Sequence, residues 1–205
     1  MGIFKGTATV SRYKVDGPPP PDFLEFVDRR IRANCFVPID DATEQMRTGW
    51  CSAHDFLDTR FAYASYALDP FIVLGLRVDT RKLPTAVVRR ELSLEIRRAN
   101  EDQGRVLSRH DREELKEKIA LDLLRRIPPT THVYEVVWDT AKGEVLIGTD
   151  SRTARDLCAD HFKRSFDPLY LVPQVPYLLA TALLPQYAAA LDALRPASLY
   201  RGEVA

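Results

Sequence analysis

Two Cys-x-x-His pairs, Cys51–Ser–Ala–His54 and Cys158–Ala–Asp–His161, are the nearest approach to a metal site in this sequence. Thiolate and imidazole ligands suit zinc, and two such pairs would complete a tetrahedral site. The second pair, however, falls in a helical pattern whose same face carries Leu157 and Phe162. A buried cysteine and a half-buried histidine there need no metal. A metal-dependent nuclease would instead require acids converging with a lysine at the end of a strand pair. Glu135, with Asp139 and Lys142, comes closest, but exposed turn residues explain Asp139 and Lys142 better. Neither a phosphate-binding glycine loop nor a GxSxG elbow occurs. No catalytic residue, metal or cofactor is therefore assigned.

The remaining chemistry lies in paired arginines: Arg89–Arg90 and Arg97–Arg98. At about 100° per residue, Val88, Leu92, Ile96 and Ala99 share one narrow sector of a helix opening at Pro84. Arg90 and Arg97 then point away from that sector, with Arg89 and Arg98 on its flanks. Arginine's planar fork donates two parallel hydrogen bonds to a phosphate. The competing reading is a solvated helix laced with salt bridges to Glu91 and Glu95.

The elements that position these residues follow from periodicity. Residues 3–13 alternate as a strand, and the run Pro18–Pro21 precedes a helix over 22–33 with Phe23, Val27 and Ile31 in step. A short strand is expected around Gly49–Trp50–Cys51 and a stronger one over 71–78. Ser108 caps a second charged helix running to Arg126, with Asp111, Glu113 and Glu114 in its first turn. Its buried stripe is Leu115, Ile119 and Leu123, and Pro128–Pro129 ends it. Strands over 132–138 and 144–149 flank a hairpin loop with Gly143 at the turn. A helix from Ser151 to about Ser165 and a strand LYLVP follow.

Strands and helices in blocks joined by hairpins indicate an α+β fold with mixed or antiparallel sheets. The parts are an N-terminal α+β region (1–82), a helical pair (83–130), a ββαβ region (131–175) and a helical C-terminal tail (176–205). That tail is apolar and interrupted by Pro185. Leu178, Leu183, Leu184 and Tyr187 either form an oligomer interface or cover the sheet.

The 205 residues carry 29 basic and 29 acidic side chains. Any affinity for nucleic acid must then come from local patches, because the chain as a whole attracts no polyanion. Three widely spaced cysteines make no disulfide framework. With no signal-peptide pattern and no run of about 18 apolar residues, a cytoplasmic protein is expected.

Several features in order resemble the RdgC family of recombination-associated bacterial proteins. They are Phe4–Lys5, Gly49–Trp50, Leu83–Pro84 before a basic helix, the stretch RVLSRHDREELKEKI from Arg105 to Ile119, Trp138–Asp139 with Gly143, and Val172–Pro173. The likeness runs over roughly residues 3–175, and its specificity lies in order and spacing. It implies a nucleoid-associated protein that binds double-stranded DNA without base specificity, as a dimeric ring that encircles the duplex and limits RecA's access to it. It also implies binding in place of cutting. On the matching positions it places DNA contact at Lys5, Arg89, Arg90, Arg97 and Arg98, and a subunit-contacting tip at helix 108–126. The family's chain is longer than this one.

Overall fold

The computed structural model describes residues 3, 6, 9–39, 44–103 and 107–195. Seven strands form one sheet in the order β2-β4-β5-β6-β1-β7, with the short β3 pairing β4 off that path. They are β1 (Ser11–Asp16), β2 (Met46–Cys51), β3 (Ala67–Leu68), β4 (Phe71–Thr80), β5 (Thr130–Asp139), β6 (Glu144–Ile147) and β7 (Tyr170–Pro173). Every strand pair is antiparallel, so the fold is α+β with a single sheet. The first strand starts later than the alternation at residue 3 predicts, at Ser11, and continues to Asp16.

Helices α1 (Phe23–Ala33) and α4 (Arg152–Phe166) cover one face. Their buried residues, Phe26, Val27 and Ile31 on α1 and Ala154, Cys158, His161, Phe162 and Phe166 on α4, recur at helical spacing. On β4, Ile72, Leu74, Leu76 and Val78 meet them, the period-two side of the strand. Trp138 anchors this core. Its ring lies edge-on to Phe23, Phe162 and Phe166, with centroids 5.1–5.4 Å apart. Trp50 of β2 donates from its indole nitrogen to Ser165 Oγ at 2.8 Å, so its polar edge is satisfied in the interior.

The far end of α1 shapes the sheet's β2 edge. Residues 34–36 run beside Trp50, which receives a hydrogen bond from Phe36 and donates one to the Asn34 carbonyl. Gly49 permits this approach, since a Cβ there would lie 2.3 Å from the Phe36 Cα. Phe36 then reaches the sheet's other face and stacks on the Arg77 guanidinium, 4.1 Å from the ring centroid. Arg77 makes two hydrogen bonds, at 2.9 and 2.7 Å, to a fully buried Asp79, which also accepts from Thr131 at 2.8 Å.

Between β4 and β5 the chain inserts α2 (Thr85–Gln103) and α3 (Arg109–Arg126). Thr80 and Thr130 are register partners, so the helical pair extends from the end of a β ribbon. The tail after β7 is α5 (Pro176–Leu183), a 3₁₀ turn Pro185–Tyr187 and the short α6 (Ala188–Asp192).

Candidate nucleic-acid interface

Helix α2 has 19 residues and is therefore about 28 Å long. Pro84 starts it without loss, because its carbonyl accepts from Val87 and Val88. Helix α3 opens on a complete capping box. Ser108 Oγ accepts from the Asp111 backbone at 3.2 Å, and the Asp111 carboxylate accepts from the Ser108 backbone at 3.1 Å. Both helices line two grooves, one on each side of their seam, and so lie side by side.

The seam differs from the sequence expectation. Leu115, Ile119 and Leu123 are only half-buried, as are Leu92 and Ile96, and among the described residues of the pair full burial is confined to Val88 and Leu124. Two helices without a third layer cannot close over their own contact stripe. Burial is completed only in the turns nearest the sheet.

Arg89, Arg90, Arg97 and Arg98 are all exposed. The flanking pair enters the grooves. Arg89 lines the one with Arg112, Glu113, Lys116 and Glu117, and Arg98 lines the other with Glu91, Glu95, Lys118 and Asp122. Arg98 is held by Glu95 at 2.6 Å. The outward pair is less engaged. Arg90, three-quarters exposed, has only a 3.9 Å contact with Glu91, and Arg97 has no carboxylate within 4 Å among the described residues. Seven residues apart on one helix face, they stand about 10 Å from each other along the axis. Helix α2 as a whole is neutral, since Glu91, Glu95, Glu101 and Asp102 balance the four arginines. Lys5 lies outside the described residues.

The residues named for the metal and nuclease alternatives lie as follows. Cys51 Sγ donates to the Gly75 carbonyl at 3.3 Å, Cys158 sits in the core, and His54 is exposed. Burial pushes both thiols up to about 12. Among the described residues no three His, Cys, Asp or Glu side chains gather as a metal site. Asp139 accepts from the Lys142 backbone at 2.9 Å and faces its ammonium at 3.3 Å, closing the hairpin turn. That backbone bond is the first cause of its lowered pKa. Among the described helices none is long and apolar enough to cross a membrane.

The C-terminal tail leaves its apolar side chains in solvent. Leu178, Leu184 and Tyr187 are exposed and Leu183 is 76% exposed, while no residue of α5 is buried. Of the two readings of the tail, covering the sheet is the one these exposures oppose. The Arg77–Asp79 pair, sandwiched by Phe36, went unseen in the sequence. Its only trace there is an Arg-x-Asp spacing on a strand, which places both side chains on one face.

A family model described as "Putative exonuclease, RdgC" matches residues 10–186. The chain is 24% identical over 151 residues to "Recombination-associated protein RdgC" of Sodalis glossinidius (strain morsitans), covering 73% of this chain and 48% of that protein. The protein of the same name from Burkholderia ambifaria (strain MC40-6) is 28% identical over 151 residues, covering 74% and 46%. That of Serratia proteamaculans (strain 568) is 22% identical over 147 residues, covering 72% and 47%. The chain spans about half the length of these curated relatives.

Proposed function

We propose that this chain, which belongs to the RdgC family, is a non-catalytic DNA-binding protein acting in recombination. It grips the phosphate backbone of duplex DNA without reading bases and works by occluding the duplex from the recombinase RecA. The observation that carries this reading is the outward face of α2, where Arg90 and Arg97 are exposed and nearly free of carboxylate partners. Two guanidiniums on a rigid helix can fork onto successive phosphates, whereas arginines already committed to neighbouring acids would have to give those bonds up. The name shared by the relatives supports a place in recombination.

The test is binding of a labelled duplex across a salt series. Affinity should fall steeply as salt rises, with a log–log slope of about −0.9 per neutralised phosphate. Arg90→Ala/Arg97→Ala should flatten that slope by about two phosphates' worth. Salt-independent affinity, or an unchanged slope in the double variant, would count against the ridge. The same duplex incubated with magnesium separates binding from cutting. Degradation that disappears in Asp139→Ala would restore the nuclease reading.

One observation favours a second activity beside DNA binding. Leu178, Leu183, Leu184 and Tyr187 are all exposed, which suits them to homodimer formation or to a protein partner.

A further inference from the structure

At the β2 edge, on the face covered by α1 and α4, lies an open cleft of about 380 Å³. Ala33, Asn34, Cys35 and Val37 form one wall, and Arg47, Thr48, His161 and Arg164 the other. Its lining contains two arginines and no carboxylate, whereas both grooves beside the helical pair mix acids with bases. The two arginines differ. Arg47 is spent: it holds Glu44 at 2.7 Å and donates to the Pro38 carbonyl at 2.9 Å. Arg164 has no carboxylate within 4 Å among the described residues. It is therefore not ion-paired, although Asp160 and Asp167 line the neighbouring groove with it.

The polar atoms at the floor are arranged in an unusual way. Thr48 Oγ1 lies 3.3 Å from His161 Nδ1, and Arg164 Nη2 lies 3.4 Å from each of them. All three contacts sit at the long limit of a hydrogen bond, so none satisfies its atoms well. A single oxygen seated over this triangle would be about 2.8 Å from all three corners, an ordinary hydrogen-bond length. Arg164 and the Thr48 hydroxyl can donate to it. His161 can donate too in the tautomer that carries its proton on Nδ1, since its Nε2 is buried without a geometric hydrogen-bond partner and the Asn34 backbone exerts only the weakest pull on the ring. The ring itself is fixed, 95% buried and edge-on to Trp50 at 4.8 Å. Burial first, and then the Arg164 cation, hold its pKa down to about 4, against a smaller upward pull from the Asn34 backbone. A neutral ring thus sits behind one guanidinium that has no ion-pair partner.

We propose that this cleft is an oxyanion site, taking a phosphate-sized group with one oxygen over Thr48, His161 and Arg164. The group is either free phosphate or a phosphate of a nucleic-acid backbone. The two sources share their chemistry and differ in what else they touch. The site is independent of the α2 ridge, which lies on other elements of the chain.

Inorganic phosphate is titrated into the full chain while the Trp50 indole and His161 ring nitrogens are followed by NMR. The expected result is a saturable shift of both signals. Affinity should drop about tenfold or more in Arg164→Gln, the loss of one charge-assisted hydrogen bond. Thr48→Val should weaken it less, and Arg90→Ala/Arg97→Ala should leave it unchanged. Because Arg164 is exposed, its variant keeps the fold, and an unshifted spectrum elsewhere verifies this. Absence of a saturable shift at millimolar phosphate overturns the proposal, as does an Arg164→Gln titration that matches the wild type. Duplex DNA added to the phosphate-loaded chain identifies the source. Displacement at the Trp50 and His161 signals assigns the site to backbone phosphate, and undisturbed signals assign it to the free anion.

Discussion

At the scale of single residues, the interior holds two ionisable features with opposite consequences. His161 ordinarily titrates near 6.5 and is held at about 4 in the fold. A depressed histidine contributes stability in full above pH 6.5, and that contribution is lost as pH falls through 4. At about 1.4 kcal/mol per unit, the window corresponds to roughly 3 kcal/mol. Urea midpoints measured from pH 7 to pH 4.5 should decline, and His161→Gln should flatten the decline. The Asp28 carboxylate, lowered by Arg32 and then by Tyr66, loses its share only below the usual carboxylate range, so the two effects separate by pH. The buried Arg77–Asp79 pair behaves differently. Asp79→Ala should destabilise the chain by about 1.5–3 kcal/mol, because it removes two charge-assisted hydrogen bonds from a guanidinium that keeps the Phe36 and Phe56 rings and the Phe56 carbonyl. Replacing both residues by apolar ones of similar volume should cost far less. A double variant as unstable as Asp79→Ala would show that the loss lies in packing and not in the lost ion pair.

At the scale of elements, the helix boundaries were legible because their signals are local. Pro21, Ser108 with Asp111, and Gly143 at φ 62° mark starts and turns through chemistry that acts within a few residues. The strands expected over 71–78 and 132–138 announced themselves by β-branched runs, and in the structure they extend to Thr80 and over Thr130–Asp139. Burial was less legible. Periodicity says which face of α3 is apolar, but not that only Leu124 finds a full cover. Periodicity also placed Arg90 and Arg97 on α2, whereas the cleft at Arg164 unites residues 113 and 116 positions apart, which no local pattern could signal. The half-open seam makes α3 depend on its cap. Ser108→Ala should cost about 1 kcal/mol, read as roughly fivefold faster amide exchange in the first turn of α3. Amides of β4 and β5 should keep their rates. Equal acceleration throughout would mean that the helical pair and the sheet open together.

At the scale of the whole molecule, zero net charge and an exposed apolar tail both favour association of copies. If the tail is the contact, sedimentation should show a concentration-dependent dimer that Leu183→Asp/Leu184→Asp converts to monomer. A wild-type chain that stays monomeric at high concentration would remove the tail from that role. The sheet's strand order carries a consequence of another kind. Strand β1 comes first in the sequence, yet its neighbours are β6 and β7, with Tyr13 opposite Val145 and Pro173. During synthesis this strand is made before both neighbours, gaining β6 only after about 130 further residues and β7 only after about 155, roughly eight to thirty seconds at ordinary elongation rates. Its apolar side, Tyr13 and Val15, is unsheltered for that whole interval. The nascent chain is thus most prone to aggregate before β6 is made, and ribosome-held fragments stopped short of residue 144 should be far more protease-sensitive than those carrying both β6 and β7.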